Sequence, residues 1–250
     1  MVTEPPALPN DSLFEHIEST MADSALDPRW PKLLSLTVHE FRTPMTVVAG
    51  YIRMLLKDRA GPLSDPQRRL LEEAEKSCTR LSALLAEVSD LSNLEAGTMA
   101  FNRQPAELQV LLRGAVDQLP DLPDRTVNVD LEVDDRPAPL RADAPRLQTA
   151  LASILAALRR EIVLSDRMLV RGRPAEADDA KGYEIVIGDV PTIEALEQAR
   201  PADLPVFDEW RGGSGLSLAV ARRVIGAHGG RVWSAPEGHK SGARIVLPAE

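Results

Sequence analysis

The stretch His39-Glu-Phe-Arg-Thr-Pro44 places an imidazole beside a carboxylate, with a hydroxyl four residues on. When Glu40 orients one ring nitrogen or takes its proton, the other nitrogen is an uncharged nucleophile near neutral pH. At about 100° per helical residue, His39 falls nearly opposite Thr37 and Phe41, and Thr43 nearly opposite Phe41 and Met45. Histidine and threonine therefore share one solvent-facing side. Pro44 sits inside the helical pattern, removes one backbone hydrogen bond and predicts a bend just after the nucleophile.

The elements that carry these residues follow from the apolar spacing. Trp30, Leu34, Thr37, Phe41, Met45, Val48, Ile52 and Leu55 recur in steps of three and four, which predicts a helix over Pro31–Lys57 with that stripe buried. Gly61, Pro62 and a capping Ser64 or Asp65 make a turn, and a second helix runs to Glu95 on Leu71, Ala74, Cys78, Leu81, Leu84, Leu85, Val88, Leu91 and Leu94. Two such helices form an antiparallel hairpin whose apolar seam is too broad for one hairpin to cover, and pairing with a second copy gives a four-helix bundle.

Before the hairpin, residues 1–22 read as a proline-rich arm and a short helix from Asp11 to Ala22. The hairpin unit spans 23–97. From 98 to 250 the pattern is mixed, with a strand near Met99–Asn102, a helix at Ala106–Leu119 and a strand at Thr126–Val133. A helix at Ala144–Glu161 leads to strands at Ile162–Arg171 and Tyr183–Asp189. Helices at Thr192–Ala199 and Gly215–His228 precede a closing hairpin, Arg231–Ser234 with Ala243–Leu247. Strands backed by helices on one face describe a two-layer α/β sandwich.

Taken together, the His39–Pro44 box and the hairpin resemble the dimerisation and phosphoacceptor region of the sensor histidine kinases of two-component signalling. The mixed region is similar to their Bergerat-type ATP-binding domain. That second likeness rests on Asp143-Ala-Pro-Arg-Leu147, Val186-Ile-Gly-Asp189, Phe207-Asp-Glu-Trp210, Gly212-Gly-Ser-Gly-Leu216 and Ala227-His-Gly-Gly230. The resemblance implies that His39 is the phosphoacceptor, Glu40 its acid/base partner and Thr43 the residue that positions water for dephosphorylation of a partner. It also implies a receiver domain of a response regulator as partner, and a homodimer or a heterodimer with another histidine kinase.

At the nucleotide site the sequence departs from that pattern. The family's magnesium-ligating asparagine corresponds to Ala157, whose methyl group cannot coordinate a hard cation. Ser153 stands for a second asparagine, and Arg160 approximates a basic residue. After Asp189, which can accept from an adenine amino group, Pro191 and Ile193 replace flexible glycines. Only Arg211 separates Trp210 from Gly212 where the family inserts a lid, and Ser217 replaces a further glycine. Gly213, Gly215 and Leu216 remain as a residual anion-binding helix start. If each change removes about 1 to 3 kcal/mol, several powers of ten in affinity are lost. Binding of ATP and magnesium is expected to be weak or absent and autophosphorylation is not expected, so the surviving chemistry is phosphotransfer with, or dephosphorylation of, a response regulator. An active kinase phosphorylating His39, and a scaffold that heterodimerises with a kinase or sequesters a regulator, are the alternatives.

Composition agrees with a signalling protein. Across 250 residues the net charge is −9 and the pI about 5.1, which disfavours nucleic acid or an anionic membrane as partner. Cys78 is the single cysteine, read as helix filler, and a reducing cytoplasm is the expected setting. No apolar run is long enough to cross a bilayer. His228 reads as a helix-end residue before Gly229, whereas His16 and His239 have no supporting context. Arg173–Asp179 reads as a loop.

Overall fold

A computed structural model of the chain describes residues 30–134, 136–175, 182–211 and 215–249. The anticipated helix at Asp11–Ala22 and Gly213 lie outside the described residues.

Among the described residues two long helices come first, α1 (Trp30–Leu56) and α2 (Asp65–Glu95). Ser64 caps α2 in a reciprocal box with Gln67, Pro66 lies in the first turn, and Asp65 complements the helix dipole there. The turn is fastened by Arg68, which donates to the Leu56 carbonyl at 2.9 Å and to both carboxylate oxygens of Asp58, itself at φ +54°. Helix α1 continues through Pro44 as one element.

The seam inside the hairpin differs from the expected stripe. Val38, Ala49 and Ile52 are the buried residues of α1, and Ala49 and Ile52 pack with Cys78 against Met45, Leu56, Leu71 and Ala74. Trp30, Thr37, Phe41 and Val48 are exposed instead. The apolar arc of α1 is wide, and α2 covers only one flank of it. Leu33, Leu36, Phe41, Val48, Tyr51 and Met54 form the uncovered flank, continued on α2 by exposed Leu81 and Leu84.

Beyond the hairpin, β1 (Gln104–Glu107) and β3 (Pro139–Ala142) pair antiparallel as a small separate sheet. Helix α3 (Leu108–Asp117) follows β1, and α4 (Ala144–Glu161) follows β3. The main sheet has the order β2 (Asn128–Val133), β4 (Arg167–Ala175), β5 (Gly182–Gly188), β7 (Ala243–Pro248), β6 (Arg231–Ser234), parallel only between β2 and β4. Two further helices, α5 (Val190–Gln198) and α6 (Ser217–Ala227), and a 3-10 turn at Pro201–Asp203 complete the chain.

Several expected elements shift. The strand expected at Met99–Asn102 forms five residues later as β1, because the unanticipated β3 is its partner, and the Asn102 amide instead donates to Asp143. Ala106 and Glu107 pair with Leu140 and Pro139, which delays α3 to Leu108. The strand expected from Ile162 begins at Arg167, and Arg173–Ala175, expected in a loop, belong to β4, which pairs with β5 as far as Gly182.

Side-chain alternation explains why both sheet faces are covered. Met168, Val170, Ile185 and Ile187 point into the main core with α3, α4 and α6. Leu169 and Val186 point the other way, beneath Ile193, Leu196 and Leu204 of α5 and its following turn. This second covering departs from the expectation of helices on one face alone. An ionic lattice fastens α5 there: Glu197 bridges Arg171 at 2.8 Å and Arg173 at 3.2 Å, and buried Glu184 receives Arg173 at 2.7 Å and Arg244.

Candidate functional site

His39 and Glu40 project from the exposed side of α1, with side chains 76% and 72% accessible. Nδ1 of His39 lies 3.6 Å from Oε1 of Glu40, close enough for charge attraction and too long for a hydrogen bond. Thr43 is exposed one turn along the same side. His39 opens onto a surface groove of about 960 Å³ whose walls include Pro31, Lys32, Ser35, Ser92 and Glu95. The groove lies at the open end of the hairpin, where Ser92 Oγ donates to the Pro31 carbonyl at 2.6 Å. The arrangement presents an imidazole on an accessible helix, suited to nucleophilic attack on a partner's reactive phosphorus.

The residues expected around a nucleotide are arranged otherwise. Asp189 is the N-cap of α5 and accepts the Thr192 amide at 3.2 Å. Pro191 sits in the first turn of that helix, where its missing donor costs nothing. Thr192 is 2% exposed and lies against two glycines. A Cβ added at Gly188 or Gly242 would come within 2.8 Å or 2.2 Å of the threonine methyl, so Thr192 fills the cradle those glycines make. Ile193 is buried in the outer core. Ala157 is buried in the main core.

Arg211, which stands where a lid was expected, is a buried staple. Its guanidinium lies 2.9 Å from Glu161, donates to the Lys240 carbonyl at 2.7 Å and to Ser234 Oγ at 3.0 Å, and stacks over Phe207 at 5.4 Å. Burial pushes the Glu161 carboxyl up, and Arg211 opposes the shift. At the start of α6, Gly215 takes φ +58° and the Leu216 amide donates to Glu87 of the hairpin at 3.2 Å. Ser217 begins α6 and Ser153 bonds within its own helix, to the Thr149 carbonyl. His228 is the C-cap of α6, as expected, and is also buried. Its Nε2 accepts the Asp143 amide at 3.0 Å, which leaves Nδ1 to donate to the Val224 carbonyl at 2.8 Å. Burial lowers its pKa.

Glu87, Thr192 and the staple role of Arg211 escaped the sequence reading. Glu87 lies 129 residues from its partner, and no local spacing signals such a contact.

Residues 32–97 match the description of the His Kinase A (phospho-acceptor) domain. Over most of its length the chain is similar to histidine kinases. The circadian input-output histidine kinase CikA of Synechococcus elongatus is 27% identical over 225 residues, which is 87% of this chain and 30% of that protein. AtoS, a signal transduction histidine-protein kinase of Escherichia coli, is 26% identical over 219 residues, 87% of this chain and 34% of its own length. The chain thus spans about a third of the length of these relatives. Full-length ShkA, solved in complex with AMPPNP, superposes with a TM-score of 0.67 at 23% identity over 88% of this chain and 46% of that one, a likeness of fold. No helix among the described residues is long and apolar enough to cross a membrane.

Proposed function

We propose that this chain is a two-component phosphotransfer protein of the histidine kinase family whose α/β part no longer turns over ATP. Residues 23–97 act as the dimerising and phosphotransfer unit and 98–250 as a degenerate ATPase-like domain. A phosphorylated receiver domain docks over the His39 groove and brings its own Mg²⁺. The Nε2 lone pair of neutral His39 attacks phosphorus, the bond between phosphorus and the receiver's aspartate breaks, and the carboxylate leaves. The imidazole keeps its Nδ1 proton, and Glu40 stabilises the positive ring. The reverse sequence returns the group to a second receiver. Thr43, on the same side, orients water for hydrolysis of the receiver's phosphate.

The observation that carries this reading is the engagement of Asp189. Its carboxylate holds the Thr192 amide, and the threonine methyl occupies the Gly188–Gly242 cradle, where a nucleotide base would need both groups free. With Ala157 in place of a metal ligand, positioning and charge neutralisation for ATP chemistry are lost together. The uncovered apolar flank of α1 and α2 supports pairing with a second copy in a four-helix bundle.

An active kinase is the second reading, favoured by the nucleotide analogue that ShkA holds. Titration of Mg-ATP by calorimetry, beside incubation of the protein with a phosphorylated receiver, separates the two. Label on His39 from the receiver, none from ATP, and loss of label in His39→Ala support phosphotransfer. Tight Mg-ATP binding with label from ATP at His39 overturns it.

A further inference from the structure

Helix α5 covers only part of the outer face of the main sheet. Arg171, Val186 and Arg244 stand side by side on that face across β4, β5 and β7, and two residues along each strand the next row is Arg173, Glu184 and Val246. This second row and Arg244 line a cavity of about 580 Å³. Asp134 and Arg136, from the chain between β2 and β3, and Pro201 of the 3-10 turn after α5 also line it. Pro174 and Ala175, at the end of β4, add apolar wall beside Val246.

The hydrogen bonds around this cavity are short of one acceptor. Glu184, whose side chain is 5% exposed, is divided between two arginines: Oε2 accepts Arg173 Nε at 2.7 Å and Oε1 takes Arg244. Arg173 gives Nη1 to Glu197 at 3.2 Å, and its Nη2 bonds to none of the described residues. Arg244 gives Nη1 to the Ala199 carbonyl at 2.8 Å and the Leu196 carbonyl at 3.3 Å, while its Nε is buried and finds no acceptor among the described residues. Arg136, exposed at the rim, closes on Asp134 through Nε at 2.8 Å. A lattice that served only to fasten α5 would be expected to pair its buried donors, as folded proteins almost always do.

We propose that this cavity is a binding site for a small organic carboxylate, held by Arg173 and Arg136 with its apolar body against Pro174, Ala175 and Val246. The lining carries three guanidiniums against two carboxylates. A planar monoanion matches the guanidinium fork and brings the missing acceptor. When it takes over Arg173, Glu184 is free to turn both oxygens to Arg244, and the buried Nε gains its partner. A phosphate dianion would set a second negative charge against Glu184 and Asp134. An ammonium ligand would meet carboxylates that already hold guanidiniums. The Arg136–Asp134 pair is exposed and therefore yields at little cost. The site lies on the sheet face away from the main core and stands on its own geometry, whatever chemistry His39 performs.

Calorimetric titration of the full chain at constant ionic strength tests it, with acetate, butyrate and benzoate as probes beside butyramide, n-butylammonium and inorganic phosphate. At least one carboxylate should saturate a single site per chain, and the best of the three should bind about tenfold or more tighter than phosphate. Butyramide and n-butylammonium should give no saturable heat. Arg136→Gln, a change at the exposed rim, should weaken the best carboxylate by about tenfold, and Arg136→Lys, which keeps the charge and loses the fork, by less. Arg173→Gln should remove binding, and if that variant fails to fold, Arg136→Gln carries the test alone. Hydrogen exchange with bound carboxylate should slow in β5 and at the end of α5, and stay unchanged in α1. No saturable heat from any of the three carboxylates, equal binding of butyramide or phosphate, wild-type affinity in Arg136→Gln, or protection outside β5 and α5 alone overturns the proposal.

Discussion

The Asp189 carboxylate and the Thr192 amide, 3.2 Å apart, make the residue expected to accept from adenine into the cap of α5. Removing a capping carboxylate costs about 1 kcal/mol. Asp189→Ala should therefore lower the thermal midpoint by about 3 °C and leave Mg-ATP titrations unchanged from wild type. Asp189→Asn, which still caps, should retain most of the wild-type stability. A variant with wild-type stability and altered nucleotide binding would return Asp189 to a binding role.

The exposed positions of His39, Glu40 and Thr43 separate chemistry from folding. His39→Ala should abolish label received from a phosphorylated receiver with no change in unfolding midpoint. Glu40→Ala should slow transfer by about 10²-fold, the range for loss of an assisting acid or base. Thr43→Ala should keep transfer and lose the accelerated decay of receiver phosphate. Equal loss of transfer in all three would show that the surface matters for docking rather than for the steps assigned to each residue.

The local elements were legible because their signals are local. Ser64 with Gln67, Asp143 before Pro145, and Gly229 at φ +76° mark helix ends within a few residues, and α4 was readable from end to end. Strand β3 was not, since Pro139–Ala142 gains its conformation from β1, whose Gln104 pairs with Ala142, 38 residues further on. Helix α5 was anticipated but not its place, because Leu169 and Val186 on the outer sheet face carry no mark of what covers them. In the site, the substitutions at Ala157, Pro191 and Ile193 could be read one by one. The filling of the cradle by Thr192 could not, since it needs Gly242 brought across from the last hairpin.

Acid should weaken the α/β part through His228. Its folded pKa is depressed by burial below the ordinary 6.5, so the neutral ring is the form that folds. Above about pH 6.5 both states are neutral and the contribution is complete. As pH falls below that, the unfolded chain takes up a proton before the folded one, and stability declines toward the folded pKa. A protonated Nε2 also cannot accept the Asp143 amide. Thermal midpoints should fall between pH 7 and pH 5, and His228→Gln should lie lower at pH 7 but with a flatter profile. The same slope in the variant would assign the acid loss elsewhere.

Pairing of two hairpins predicts a selective effect at Val48. It is 47% exposed and contributes nothing to the Ala49–Ile52–Cys78 seam, so Val48→Arg should leave helicity intact. Placing a charge in the centre of the second seam should weaken self-association by about a hundredfold, equivalent to roughly 3 kcal/mol. Sedimentation of wild type and variant across concentration reads this directly. A wild type that stays monomeric at high concentration would leave the apolar flank to a different chain.

Arg211 should behave as one half of a buried pair rather than as a nucleotide contact. Its side chain is 8% exposed and Glu161 is 29% exposed, so Arg211→Ala leaves a carboxylate partly desolvated and removes donors from Lys240 and Ser234. Breaking such a pair from one side should cost roughly 2 to 4 kcal/mol. Removing both charges relieves the orphaned acid, so Arg211→Ala with Glu161→Ala should cost less than the two single losses added together. Denaturant midpoints for the four proteins of this cycle give the coupling. Strict additivity would mean that Arg211 stabilises through Phe207 and the backbone alone, and that the lid position is held by packing instead of charge.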